Sequence, residues 1–113
     1  MDEITTPGQV ISELNRLMDE MGKGVKALYE AEVRMVELDT AYERKLALAI
    51  LESTGPAIER NAVAKLAASE EKLALDLAKA QLNRVKAKMR SIDSAQVAVS
   101  VIGRQVELTW RHS

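Results

Sequence analysis

Cysteine and phenylalanine are absent from this chain, and its aromatic side chains are only Tyr29, Tyr42 and Trp110. Without cysteine there is no disulfide, no thiolate nucleophile and no thiolate metal ligand. The apolar content is Ala, Leu, Val, Ile and Met, a usage that favours helix over sheet. Proline occurs twice and glycine five times, so each can be read as punctuation. The single histidine, His112, is too little for a metal cluster or for histidine-based acid–base chemistry. No apolar run approaches the roughly 20 residues that cross a bilayer. The opening MDEITTPGQV is acidic and polar, unlike a signal peptide. The expected setting is therefore cytoplasmic, with no membrane partner, no metal and no cofactor.

What is present is length enough for one domain, and abundant charge. The 113 residues carry a net charge of −1, unevenly spread. Ten acidic and four basic side chains lie between Met1 and Glu43; seven acidic and twelve basic lie between Arg44 and Ser113. The positive excess gathers in KAQLNRVKAKMR, Lys79 to Arg90, and continues to Arg104 and Arg111. Such asymmetry marks either a nucleic-acid surface or two halves lying against each other.

Spacing predicts two long helices. In TTPGQ, Thr6 is a good N-cap, Pro7 suits the first helical position and Gln9 completes a capping box. Apolar residues then recur three and four apart through Ile11, Leu14, Met18, Met21, Val25, Leu28, Glu32, Met35, Asp39, Tyr42, Leu46 and Ala49, with Glu32 and Asp39 as the polar exceptions. Gly22 and Gly24 make a weak point in this helix, since each costs about 1 kcal/mol relative to Ala. Helix one is expected over about 7–52 and a turn over 53–56, where Gly55 suits the left-handed position and Pro56 the next helix start. Helix two is expected over about 57–110. Its seam runs through Leu75, Ala78, Leu82, Val85, Met89, Ile92, Gln96, Val99, Gly103, Val106 and Trp110. The segment AQVAVSVIG also alternates as a strand would, but there is no second strand to pair with it, so helix is favoured.

These elements predict an all-α fold: a single domain over 1–113 built as a long antiparallel, coiled-coil-like helical hairpin. With the turn at 53–56, residue i faces residue 109 − i. Glu37 then lies near Lys72, and Asp19 and Glu20 lie near Arg90 and Met89, so the acidic half covers the basic half. One hairpin seam gives a small core, which predicts a homodimer or higher oligomer, such as a four-helix bundle.

Few residues suggest chemistry. In Gly22-Lys23-Gly24, Gly24 stands where a phosphate loop needs Ser or Thr, and no strand precedes it. Glu30, Glu37 and Glu43 read as a solvated face rather than metal ligands. Ser91, Ser94 and Ser100 have no base nearby in sequence. The chain is read as non-enzymatic. The best binding candidates are the basic residues Lys79, Arg84, Lys86, Lys88 and Arg90, joined by Arg104 and Arg111. Lys79, Lys86 and Arg90 lie roughly along one helix face and Arg84 and Lys88 form an i, i+4 pair on another, positive rows of the kind phosphate binding needs; the bland alternative is a solvated face. Trp110 beside Arg111 reads either as an interaction anchor or as part of an oligomer core.

The turn region resembles a group of small bacteriophage helical proteins that carry a pattern close to A-x-L-x-x-x-G-x-x-x-E-R-x-A-x-A, here Ala49, Leu51, Gly55, Glu59, Arg60, Ala62 and Ala64. Their C-terminal end often reads Ser-x-x-x-Arg-x-x-Glu, as do Ser100, Arg104 and Glu107. The similarity spans about Tyr42 to Trp110. It implies a product of a phage replication or recombination region: an accessory factor that acts on a protein partner or on single-stranded DNA. The alternative is a structural or assembly factor, or an inhibitor of a host protein, with no nucleic-acid binding.

Overall fold

A computed structural model describes residues 3–112. They form three helices, α1 (Pro7–Glu52), α2 (Ala57–Ala67) and α3 (Ser69–Arg111), with no strand among them. The architecture is the all-α antiparallel helical hairpin that the spacing predicts. The ambiguous segment 95–102 is helical, inside α3.

Local chemistry sets the ends of α1. The Gln9 backbone N–H donates to Thr6 Oγ1 at 3.2 Å, and the Thr6 N–H donates back to Gln9 Oε1 at 3.1 Å. This reciprocal box satisfies two helix-end donors at once. At the other end Gly55 takes φ +101°, a conformation that side chains rarely adopt. Pro56 then sits extended at φ −61°, ψ 153° and opens α2. Arg60 closes the corner by donating from Nη2 to the carbonyl of Ile50 at 3.0 Å.

The predicted second helix is divided. It breaks at Ala68, with φ −99° and ψ 13°, although neither Gly nor Pro is present there. Ala68 at this joint and Ala64 one turn before it are fully buried, so the break accompanies close packing of two small side chains.

The chain forms two compact units. One comprises the described parts of 1–27 and 85–113; the other is Leu28–Arg84. In the first, Val10 and Leu17 of α1 and Ile92, Val99 and Val106 of α3 make the buried cluster, with Ile4, Leu14, Met21 and Ala95 against it. In the second, Ala31, Ala64, Ala68, Leu75, Ala78 and Leu82 are buried. Leu75 is the one large side chain there with almost no exposure.

Two expectations are corrected. The inward face of α1 passes through Val10, Leu17 and Ala31, whereas Ile11, Met18 and Val25 are exposed by 56–64%. Glu32 and Asp39 are exposed as well; they were exceptions only because alternate positions of the series lay one residue off. The pairing also differs. A Cβ on Gly24 would stand 3.1 Å from Met89 Cγ, and one on Gly103 would stand 3.0 Å from Val10 Cγ1. Gly24 therefore meets residue 89 rather than 85, about one helical turn from the expected register. In the other unit Lys72 Nζ lies 5.6 Å from the Tyr42 ring centre, within cation–π range, and not beside Glu37.

The glycines expected to weaken α1 lie inside a continuous helix. They differ in kind. Gly24 admits Met89, whereas a Cβ on Gly22 would meet nothing within 4 Å. Replacing Gly22 with alanine should therefore raise stability by up to about 1 kcal/mol, the helix-propensity difference. A urea melt showing no upward shift of the midpoint would count against this.

Candidate interaction surface

The sequence-selected basic residues Lys79, Arg84, Lys86, Lys88, Arg90, Arg104 and Arg111 are all exposed. Lys79 and Arg84 belong to the Leu28–Arg84 unit, and the others to the unit that holds 85–113. Within that unit, Arg90, Val97, Arg104 and Arg111 follow one another at intervals of seven, so they share one outward line of α3. Lys86 sits close to that line, one turn before Arg90, and Lys88 points to another side. Opposite the line are Ile92, Val99 and Val106, the buried positions.

The outward line is apolar as well as basic. Val97, Val101 and Leu108 are 61%, 53% and 52% exposed. The carboxylates of this stretch, Asp93 and Glu107, lie on its margin, and Glu107 is tied to Arg111 at 2.6 Å. Among the described residues no carboxylate is within ion-pair distance of Lys86, Arg90 or Arg104. Every ion pair found there joins side chains three or four apart on a single helix. The expectation that the acidic half would neutralise the basic half by cross-helix pairing is thus corrected.

Trp110 is half exposed, and its indole N–H donates to the Thr5 carbonyl at 3.1 Å. The ring is held against the chain start rather than presented as a free stacking platform. Val106, a seam position of the second long helix, is buried.

No protein family, curated protein or solved structure matches this chain. Its chemistry must be read from its own surface.

A second outward face lies on α1 in the Leu28–Arg84 unit. Tyr29, Val33 and Val36 are 70%, 37% and 59% exposed and line a shallow groove with Glu32 and Glu37. Between Tyr29 and Glu43 the sequence carries five carboxylates and one arginine. Sequence reasoning took Glu30, Glu37 and Glu43 as a solvated face and overlooked the aliphatic residues among them. The signal was available, since Tyr29, Val33 and Val36 are apolar and fall outside the seam series.

The corner itself is also apolar. Leu51, Ile58 and Leu66 are 76%, 84% and 78% exposed, with Leu73 and Leu77 further along. Leu66 and Leu73 are seven residues apart and lie off the seam, a second repeat that attention to one seam alone passes over.

A further groove near the start of α1 is lined in part by Glu13 and Arg16. Their hydrogen bond holds the Glu13 carboxyl below its usual range and Arg16 above its own. The pair spans i and i+3 on one exposed helix face, where such pairs add little. Among the described residues no three potential metal ligands cluster, and no helix is long and apolar enough to cross a membrane.

Proposed function

We propose that this chain is a non-enzymatic helical interaction protein that self-associates and works through its outward helix faces. The carrying observation is that its helices are apolar on more than one side. Outside the buried seam stand Val97, Val101 and Leu108 along α3, and Leu51, Ile58, Leu66, Leu73 and Leu77 at the corner and beyond it, all more than half exposed. Side chains of this size and number, grouped on the outside, mark surfaces that are covered in use.

The phage resemblance gives this activity a setting: an accessory factor of DNA replication or recombination in the host cytoplasm, acting on a protein partner. Single-stranded DNA is the second reading, carried by the arginine line of α3 with its missing carboxylates. Protein contact has the better support. Single-strand binders add stacking aromatics to a basic groove, and the aromatic nearest this line, Trp110, is engaged with Thr5.

The test is light scattering of the full chain over a rising concentration series, with an oligothymidine titration at low salt alongside. A mass above the monomer is expected. A monomer mass throughout, together with a salt-dependent complex with oligothymidine, would replace the protein-contact reading with the nucleic-acid one.

A further inference from the structure

We infer that the arginine-lined outward face of α3 docks on the acidic outward face of α1 in a second copy of this chain. The inference rests on the self-association reading above and specifies its surfaces. The first face comprises Arg90, Val97, Val101, Arg104 and Leu108. The second comprises Tyr29, Glu30, Val33, Val36 and Glu37.

Four observations favour a second copy as the occupant. The charges are complementary: Val85 to Arg111 holds five basic and two acidic side chains, and Tyr29 to Glu43 holds five acidic and one basic. Charge of this kind on the rim of an apolar strip selects a partner and its orientation. The charges are also available, because the ion pairs of the described residues run along single helices and leave Arg90, Arg104, Glu30 and Glu37 without opposite charges in contact.

The faces also match in spacing. Tyr29 and Val36 are seven apart, as are Arg90, Val97 and Arg104, so two helices packed at a shallow angle keep the strips in contact over several turns. Finally, the apolar strips are of similar size. Tyr29, Val33 and Val36 can cover Val97, Val101 and Leu108, with each strip bordered by the charge that the other lacks.

Two variants and their mixture provide the test. Arg90→Glu/Arg104→Glu reverses one face, and Glu30→Lys/Glu37→Lys reverses the other. All four sites are exposed helix positions, and circular dichroism checks that each variant folds. Each variant alone should self-associate at least about tenfold more weakly than the wild type, the loss expected when like charges meet across an interface. An equimolar mixture should recover association, because reversed faces again meet opposite charge.

A wild type that is monomeric at every concentration overturns both the self-association reading and this inference. A wild-type oligomer that both variants leave intact overturns the inference alone, as would an oligomer resting on the leucines of the corner. Loss in both variants without recovery on mixing also overturns it, since the two faces then do not meet each other. An unchanged oligomer with oligothymidine binding lost in Arg90→Glu/Arg104→Glu assigns that face to nucleic acid and overturns it too.

Discussion

Truncating Leu75 to alanine should cost about 2–5 kcal/mol of stability, whereas the same truncation at Leu77 should change it by about 0.5 kcal/mol or less. The two leucines are two residues apart on α3. Leu75 is 2% exposed and Leu77 is 63% exposed. The cost at Leu75 combines lost transfer free energy with the cavity left behind. The cavity term should be large, because the other buried residues of that unit include Ala31, Ala64, Ala68 and Ala78. Alanines have no rotamers with which to fill a void. The difference can be read from urea melts of the two variants followed by circular dichroism at dilute protein, where association does not contribute. Similar midpoints for the two variants would mean that the packing around Leu75 is wrong.

Alanine at Gly103 should lower stability by up to about 2 kcal/mol, the opposite sign from alanine at Gly22. Both sites are interior to a helix, so both gain about 1 kcal/mol in propensity. At Gly103 the new methyl would stand 3.0 Å from Val10 Cγ1. Val10 is buried in the cluster and is β-branched, so its χ1 has little freedom to turn away. The helices must then part locally, and overpacking of this kind costs about 1–3 kcal/mol. Adding Val10→Ala should relieve the clash, so the pair should be less destabilising than the sum of the two single changes. A double-mutant cycle with no coupling would show that the close approach is absent. Gly24 is the milder counterpart, because it faces the flexible end of Met89.

Much of this architecture was legible in the residues. Thr6, Pro7 and Gln9 announce the start of α1, and Gly55-Pro56 the corner, since each needs only its own neighbours to act. The seam of α3 was legible because Leu75, Ala78, Leu82, Ile92, Val99 and Val106 keep the alternating three-and-four spacing of a helix face. The phase of α1 was harder. Val10 sits beside Ile11, Leu17 beside Met18, and Gly24 beside Val25. Apolarity alone prefers the larger member of the last pair, while packing buries the smaller. The tell was further along, where Ala31 and Leu38 are apolar and their neighbours Glu32 and Asp39 are charged.

The pairing of the helices was not legible, because the approaches of Met89 to Gly24 and of Val10 to Gly103 follow from three-dimensional packing and not from local residue chemistry; nor was the joint at Ala68, which no breaker residue marks. Of the candidate surface, the exposure of the basic residues could be read from sequence. Their separation into different units and the absence of cross-helix ion pairs could not, since both follow from the register.

Repeats of seven have a weakness: a helix can slide along its partner by one repeat and still present apolar residues to apolar residues. In the unit holding Gly24 and Gly103 such a slip is obstructed in both directions. One direction carries Met89 away from the notch at Gly24 and onto the buried Leu17; the other sets Trp110 against the buried Val10. Each misalignment sets a bulky side chain against one that is already buried. The two glycines thus act as slots of a key, and they give this chain a single alignment where its repeat alone would permit several.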